Sequence, residues 1–230
     1  IKVSRKLTKE ICRLLFIAAL LTITIPCVAD ALTIKTTRKV VVLDPGHGGK
    51  DTGITSTTGI LEKQILLKLA QMTAELLNDR YHPLLTRTTD TSLSAADRAA
   101  FANQNKADLF LSLHLHAKKN TSFFFYFGTP DTTPETKTVK WKTQGLEHQH
   151  TSKQAAAMFA KIFQDINKET RPHFGPAPAI PLEGLQMTAI LAEPFTLSDV
   201  PGTTAEQQNF LIPYAQLLAR CIEACFENKF

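Results

Sequence analysis

Four side chains of this sequence are of the types that activate water, and they lie far apart along it. His47 sits between glycines in VVVLDPGHGGKDTG, residues Val40–Gly53. Glu62 stands in GILEKQ, His114 in LFLSLHLH and Glu193 in AILAEPF. Glycines directly after a β-branched run raise a rival reading, a phosphate cradle, and spacing rejects it. A Walker loop requires a glycine where Asp44 stands and a Ser or Thr where Asp51 stands; the dinucleotide pattern requires a glycine at Asp51. What remains is a histidine presented at the carboxyl end of a strand, the edge where open α/β sheets place their sites. The flanking glycines let backbone come close to a bound group.

Each group also has an ordinary role open to it. His47 suits a turn, and Glu62 at the start of a helix complements the macrodipole. A strand histidine such as His114 is commonly just half-buried. Glu193, closing an apolar strand before Pro194, has fewer structural reasons to be there. Together, two histidines and a carboxylate make a three-ligand zinc site with one position open for water, and a second carboxylate can act as base.

The elements that must position these groups follow from periodicity. Lys39–Leu43 reads as a β-branched strand, and Leu61–Tyr81 as a helix with one apolar face. His82–Thr86 is a second strand. Ser94 and Asp97 form a capping-box signature that opens a helix to Asn105. Asp108–His116 is a third strand and Phe123–Phe127 a further buried one. Thr129–Gln149 reads as a surface loop and Thr151–Asn167 as an amphipathic helix. Arg171–Leu182 reads as a proline-rich loop and Met187–Glu193 as the last strand. Ala205–Phe226 is a helix broken or offset near Pro213. This order predicts an α/β fold: a single domain with a mainly parallel twisted sheet and helices on both faces. Strands ending at 43, 114 and 193 would bring the four groups to one edge.

The segments DPGHGGKDTG, GILEKQ, LTRTTD, ADRAAFANQNKADLFLSLH and ILAEPF resemble, in order, the zinc-dependent N-acetylmuramoyl-L-alanine amidases of bacterial cell walls. The resemblance covers nearly all of residues 39–227. It implies an amidase-type α/β fold, one Zn2+ ion held by His47, Glu62 and His114, and Glu193 as the catalytic carboxylate. The implied reaction cuts the amide between the lactyl group of N-acetylmuramic acid and L-alanine of the stem peptide, so the implied partner is peptidoglycan or its muropeptides. Competing functions are a zinc peptidase or carboxypeptidase on stem peptides and a non-catalytic wall-binding module. Leu115-His116 and Pro194-Phe195 depart from the family pattern, which places His116 in the cleft and Pro194-Phe195 on the pocket wall. Arg87 and Arg98 are expected to be structural. Asp44 is expected to fix the turn or to hydrogen-bond a ligand histidine.

Charge and targeting bound the rest. The chain holds 26 Lys/Arg and 21 Asp/Glu, but residues 1–29 carry five basic and one acidic residue. The remainder is nearly neutral and has no basic patch, so nucleic acid is not an expected partner. Residues 1–30 combine a basic start, the apolar run LLFIAALLTITI and small residues in PCVADA, the pattern of a secretory signal peptide. The expected protein is therefore exported, periplasmic or extracellular, a monomer with no membrane anchor after cleavage. With no separate wall-binding module, targeting falls to the catalytic cleft or to a protein partner such as an activator. Cys221 and Cys225 share one helix face and are expected to be buried thiols.

Overall fold

The structure is a computed structural model that describes residues 37–116, 123–128, 144–166, 168 and 172–227. The expected signal segment, most of the loop from Thr129, and Arg171 lie outside the described residues. In chain order the elements are β1 (Val40–Pro45), α1 (Glu62–Leu77), β2 (His82–Leu85), α2 (Ala95–Gln104) and β3 (Leu109–Leu113). They continue with β4 (Phe124–Gly128), α3 (Gln149–Ile166), β5 (His173–Ala177), β6 (Thr188–Glu193) and α4 (Thr204–Glu227).

The six strands form one sheet in the order β2-β1-β3-β6-β4-β5. The pairs β2-β1, β1-β3, β3-β6 and β4-β5 are parallel, while β4 runs antiparallel to β6. Because side chains alternate along a strand, the sheet has two apolar faces. Val41, Leu43, Leu109, Leu111, Leu113, Ile190, Ala192 and Phe125 point to one face, where α1, α3 and α4 cover them. Val42, Phe110, Ala189 and Leu191 point to the other, under Ala99 and Ala102 of α2 and under Leu182 and Leu185. Each fully buried Leu, Ile or Phe of these layers contributes about 1.5–3 kcal/mol through water exclusion. The α/β architecture with helices on both faces is the expected one.

Four elements differ from the periodicity reading. His173–Ala177 is a strand rather than loop. It lies at the sheet edge, where Pro176 needs no ladder partner for its missing N–H. The five residues Phe123–Phe127 are not uniformly buried: Phe123, Phe125 and Phe127 are, while Phe124 and Tyr126 on the opposite face are half-exposed. Gln144–His148, placed in a loop by its polarity, is a 3-10 turn that leads into α3. Helix α4 runs unbroken through Pro213. Pro213 and Asn209, four residues before it, are both exposed, so water can satisfy the carbonyl that loses its helical partner. Cys221 and Cys225 are buried free thiols, as expected; burial pushes Cys225 up to about 12. No helix among the described residues is long and apolar enough to cross a membrane.

The exposed proline still costs α4 one internal hydrogen bond. Pro213→Ala is expected to raise the urea midpoint, by up to about 3 kcal/mol in stability. A lowered midpoint would show that the proline is required by packing.

Candidate metal centre

Register sets the frame of the site. Asp44 pairs with Ser112 and Leu113 with Ala192 across the adjacent strands β1, β3 and β6. The ladder then extends past the strand ends: the Gly46 N–H donates to the Leu113 carbonyl at 3.0 Å, and the His114 N–H to the Ala192 carbonyl at 2.9 Å. His47, His114 and Glu193 are thereby delivered to one edge, as the chain order predicts.

Two buried arginines take the carbonyls of Pro45, Gly46 and His47 where the chain leaves β1. Arg87 donates from Nε to the Pro45 carbonyl at 2.9 Å, and from Nη2 to the Gly46 and Lys63 carbonyls, both at 2.8 Å. Arg98 donates to the Pro45 carbonyl at 3.0 Å and to the His47 carbonyl at 2.8 Å. Arg98 is aimed by the N-terminus of α2, where Ser94 and Asp97 form the expected capping box. Its charge is matched by Asp44, 2.6 Å away and fully buried, which also accepts from Thr86 and Ser112. Asp44 therefore fixes the turn through Arg98. Lys63, also buried, ties the Gly49 carbonyl to Asp90.

Held in this way, His47 adopts φ of 60°, a left-handed backbone that costs a non-glycine residue about 1–2 kcal/mol. Its Nδ1 meets the Asp51 carboxylate at 2.8 Å, which leaves Nε2 to face inward. The carboxylate that orients this histidine is thus Asp51, not Asp44. The sequence reading missed it because an i, i+4 pair has a fixed meaning on a helix but none in a glycine-rich turn. Asp51 is itself held by the Gly53 N–H.

Inward of that contact, three donor atoms converge. His47 Nε2 lies 3.2 Å from Glu62 Oε1 and 3.2 Å from His114 Nδ1, and His114 Nδ1 lies 3.6 Å from Glu62 Oε1. These residues form the one His/Cys/Asp/Glu cluster with metal-ligand spacing among the described residues. Zinc–ligand bonds of about 2.0–2.1 Å in a tetrahedron put donor atoms roughly 3.3 Å apart. The observed triangle fits that ion.

Glu62 is the centre of the cluster. It is buried, and its carboxylate points away from its own helix end: Oε2 accepts from the Ile54 N–H and Oε1 from the Leu115 N–H, both at 2.8 Å. Burial opposes its charge, but hydrogen bonds from His114, His47 and Ile54 outweigh it and hold the carboxyl at about 2. Burial also opposes charging of His47, yet Glu62 and Asp51 win and raise its pKa. Two glycines are needed for closeness. A Cβ on Gly46 would sit 2.5 Å from His114 Cε1, and one on Gly53 would sit 2.6 Å from both Glu62 Oε2 and His47 Cδ2.

Glu193 stands apart from the triad at the end of β6, half-buried. Burial raises its pKa, the proximity of His114 lowers it, and Glu62 raises it further. The net upward shift gives a carboxylate with more affinity for a proton than an ordinary glutamate. His116 is not in the triad; its ring stands edge-on to Phe124, with centroids 5.1 Å apart. Pro194 and Phe195 do not form a pocket wall. Both are buried, and Phe195 packs into the core against Phe210 and Tyr214.

A family model described as N-acetylmuramoyl-L-alanine amidase matches residues 41–223. The chain is 47% identical over 81 residues to the endolysin of Bacillus phage SPP1, covering 34% of this chain and 30% of that protein. It is 44% identical over 78 residues to the N-acetylmuramoyl-L-alanine amidase AmiA of Escherichia coli (strain K12), covering 34% of this chain and 27% of that protein. The matched part thus spans about a third of the length of these curated relatives. A crystal structure of an N-acetylmuramoyl-L-alanine amidase from Clostridium difficile 630 superposes with a TM-score of 0.64 at 26% identity, over 85% of this chain and 100% of that one.

Removing Arg98 would leave Asp44 buried without its counter-charge. Arg98→Ala is therefore expected to cost about 3–5 kcal/mol in chemical denaturation. Arg80→Ala removes surface pairs with Glu223 and Glu227 and a cation–π contact with Tyr81, and should shift the midpoint far less. Equal effects would contradict the role given to the buried pair.

Proposed function

The chain belongs to the N-acetylmuramoyl-L-alanine amidase family, and we propose that it is a zinc-dependent peptidoglycan hydrolase. The bond cut is the amide between the lactyl group of N-acetylmuramic acid and L-alanine of the stem peptide. The observation that carries this reading is the triangle of His47 Nε2, Glu62 Oε1 and His114 Nδ1, at zinc-ligand spacing beside a carboxylate of raised pKa.

His47, Glu62 and His114 would hold one ion. The chemistry such an ion supplies when bound is Lewis acidity toward an amide carbonyl and a water molecule. Glu193 then carries the proton: its carboxylate takes one from the attacking water and delivers it to the alanine nitrogen as the C–N bond breaks. A raised pKa suits both halves of that task, since an ordinary glutamate would release the proton too readily to hold it for the leaving amine. Asp51 keeps His47 in the tautomer whose Nε2 lone pair faces the site. Glu62, whose carboxyl is held at about 2 and accepts from the Ile54 and Leu115 N–H groups, needs no proton loss to serve as ligand.

The order of basic, apolar and small residues in 1–30 supports export, to the periplasm or outside the cell according to the envelope. Regulation by a protein activator belongs to the same proposal.

Mass spectrometry of muropeptide digests tests the reaction. Products with free lactyl carboxyls and free L-alanine amines are expected, and shortened stem peptides would favour a carboxypeptidase instead. Glu193→Gln should lose roughly 10²–10⁴-fold in rate while keeping its metal; near-normal turnover would refute Glu193 as the proton carrier. Asp51→Ala should weaken zinc binding about 10–100-fold in a chelator competition. Unchanged affinity would show that His47 needs no outer partner.

A further inference from the structure

Strand β4 carries aromatic side chains on both faces, and one set is buried while the other is only partly covered. Phe123, Phe125 and Phe127 are buried in the main core with Phe159 and Phe163 of α3. A strand with one face packed and one solvated ordinarily reads apolar inside and polar outside. Here the outer positions are Phe124 and Tyr126, both partly exposed. They lie on the sheet face to which Leu191, and hence Glu193, also points.

The register carries these rings to the metal centre. Because β4 runs antiparallel to β6, its first residue, Phe124, pairs with Glu193. On its other side Phe124 pairs with the exposed His173 of β5. The rings of Phe124 and His173 lie 5.4 Å apart at 16° between planes, and those of Phe124 and Tyr126 lie 6.0 Å apart at 12°. Tyr126 is anchored against the smaller core layer and lies within electrostatic reach of Glu193. Its partner across the strand pair is Gly175, where a Cβ would meet no atom within 4 Å. The result is a patch of near-parallel rings with Phe124 at its corner next to Glu193, His173 on the edge strand, Tyr126 further along β4 and Gly175 leaving the fourth position bare.

We propose that Phe124, Tyr126 and His173 form a shelf that seats a pyranose ring of the glycan strand beside the scissile amide. This rests on the peptidoglycan reading above, in which the bond at Glu193 has an amino sugar on one side. A pyranose offers an apolar C–H face with hydroxyls around its rim. The shelf offers ring surface with a phenol and an imidazole at its tips, an amphipathic combination suited to that ligand. A stem peptide laid along β5 is disfavoured, because Pro176 has no N–H to offer an added strand.

The test has two arms. In the first, kcat/KM is compared between a disaccharide-peptide muropeptide and an N-lactyl-peptide with the same scissile amide but no sugar. The wild type should prefer the sugar-bearing substrate, and His173→Ala and Phe124→Ala should each reduce that preference roughly three- to tenfold, the range one aromatic contact supplies. Most of the reduction should lie in KM. An unchanged preference in both variants would overturn the shelf. In the second arm, the Glu193→Gln protein is titrated with a peptide-free N-acetylglucosamine oligomer and followed by saturation-transfer NMR. Transfer to the sugar that is lost in the added His173→Ala variant supports the shelf, and absence of transfer in the parent protein overturns it. His173 is exposed, so its replacement should leave the fold intact, which circular dichroism checks. If the wild type cleaves neither substrate while the sugar still binds through these residues, the amidase reading fails and the shelf stands.

Discussion

Three successive carbonyls, those of Pro45, Gly46 and His47, leave the end of β1 with no strand partner. Two guanidinium groups take all three. An orphaned buried carbonyl costs free energy comparable to a lost hydrogen bond, so this loop conformation exists only because Arg87 and Arg98 are present. The guanidinium charge would itself be intolerable at this depth without Asp44. The chain of dependence is short. Asp44 permits Arg98, Arg98 and Arg87 permit the loop, and the loop holds His47 in a backbone conformation that it would not adopt alone.

The triangle of donor atoms inherits its dimensions from that arrangement. His47 comes from the loop, Glu62 from the first turn of α1, and His114 from the end of β3. None of the three is placed by its sequence neighbours alone. Glu62 bonds at once to the Ile54 N–H of the glycine-loop segment and to the Leu115 N–H beyond β3, which ties the three segments together around one carboxylate. Gly46 and Gly53 remove the side chains that would separate them. The glycines that resemble a phosphate cradle therefore serve close approach to the His47, Glu62 and His114 side chains. On the far side of the site the antiparallel β4 places partly exposed aromatic rings beside Glu193, so the same sheet edge presents a polar half and an aromatic half.

Much of this was legible in the sequence. The four groups, the strand ends that deliver them and the capping box before Arg98 all follow from local patterns whose meaning is fixed by helix and strand geometry. What escaped depends on context that spacing does not carry. The outer partner of His47 is Asp51 because a turn folds it back, while Asp44, expected either to fix the turn or to bond a ligand histidine, does the first. His173–Ala177 pairs as a strand despite Gly175 and Pro176 because it lies at the edge, where one side needs no ladder. Pro213 leaves α4 intact because its orphaned carbonyl faces water. FFFYF reads as uniformly apolar, and only the sheet shows that its two faces meet different surroundings.

The central claim is that the loop and strand ends preorganise three named atoms to receive one metal ion. Anomalous diffraction at the zinc edge from crystals of the zinc-loaded protein tests it most directly. A single strong peak bonded to His47 Nε2, Glu62 Oε1 and His114 Nδ1 is the predicted result. A peak elsewhere, or zinc bound through His47 Nδ1 with Asp51 displaced, would contradict the account.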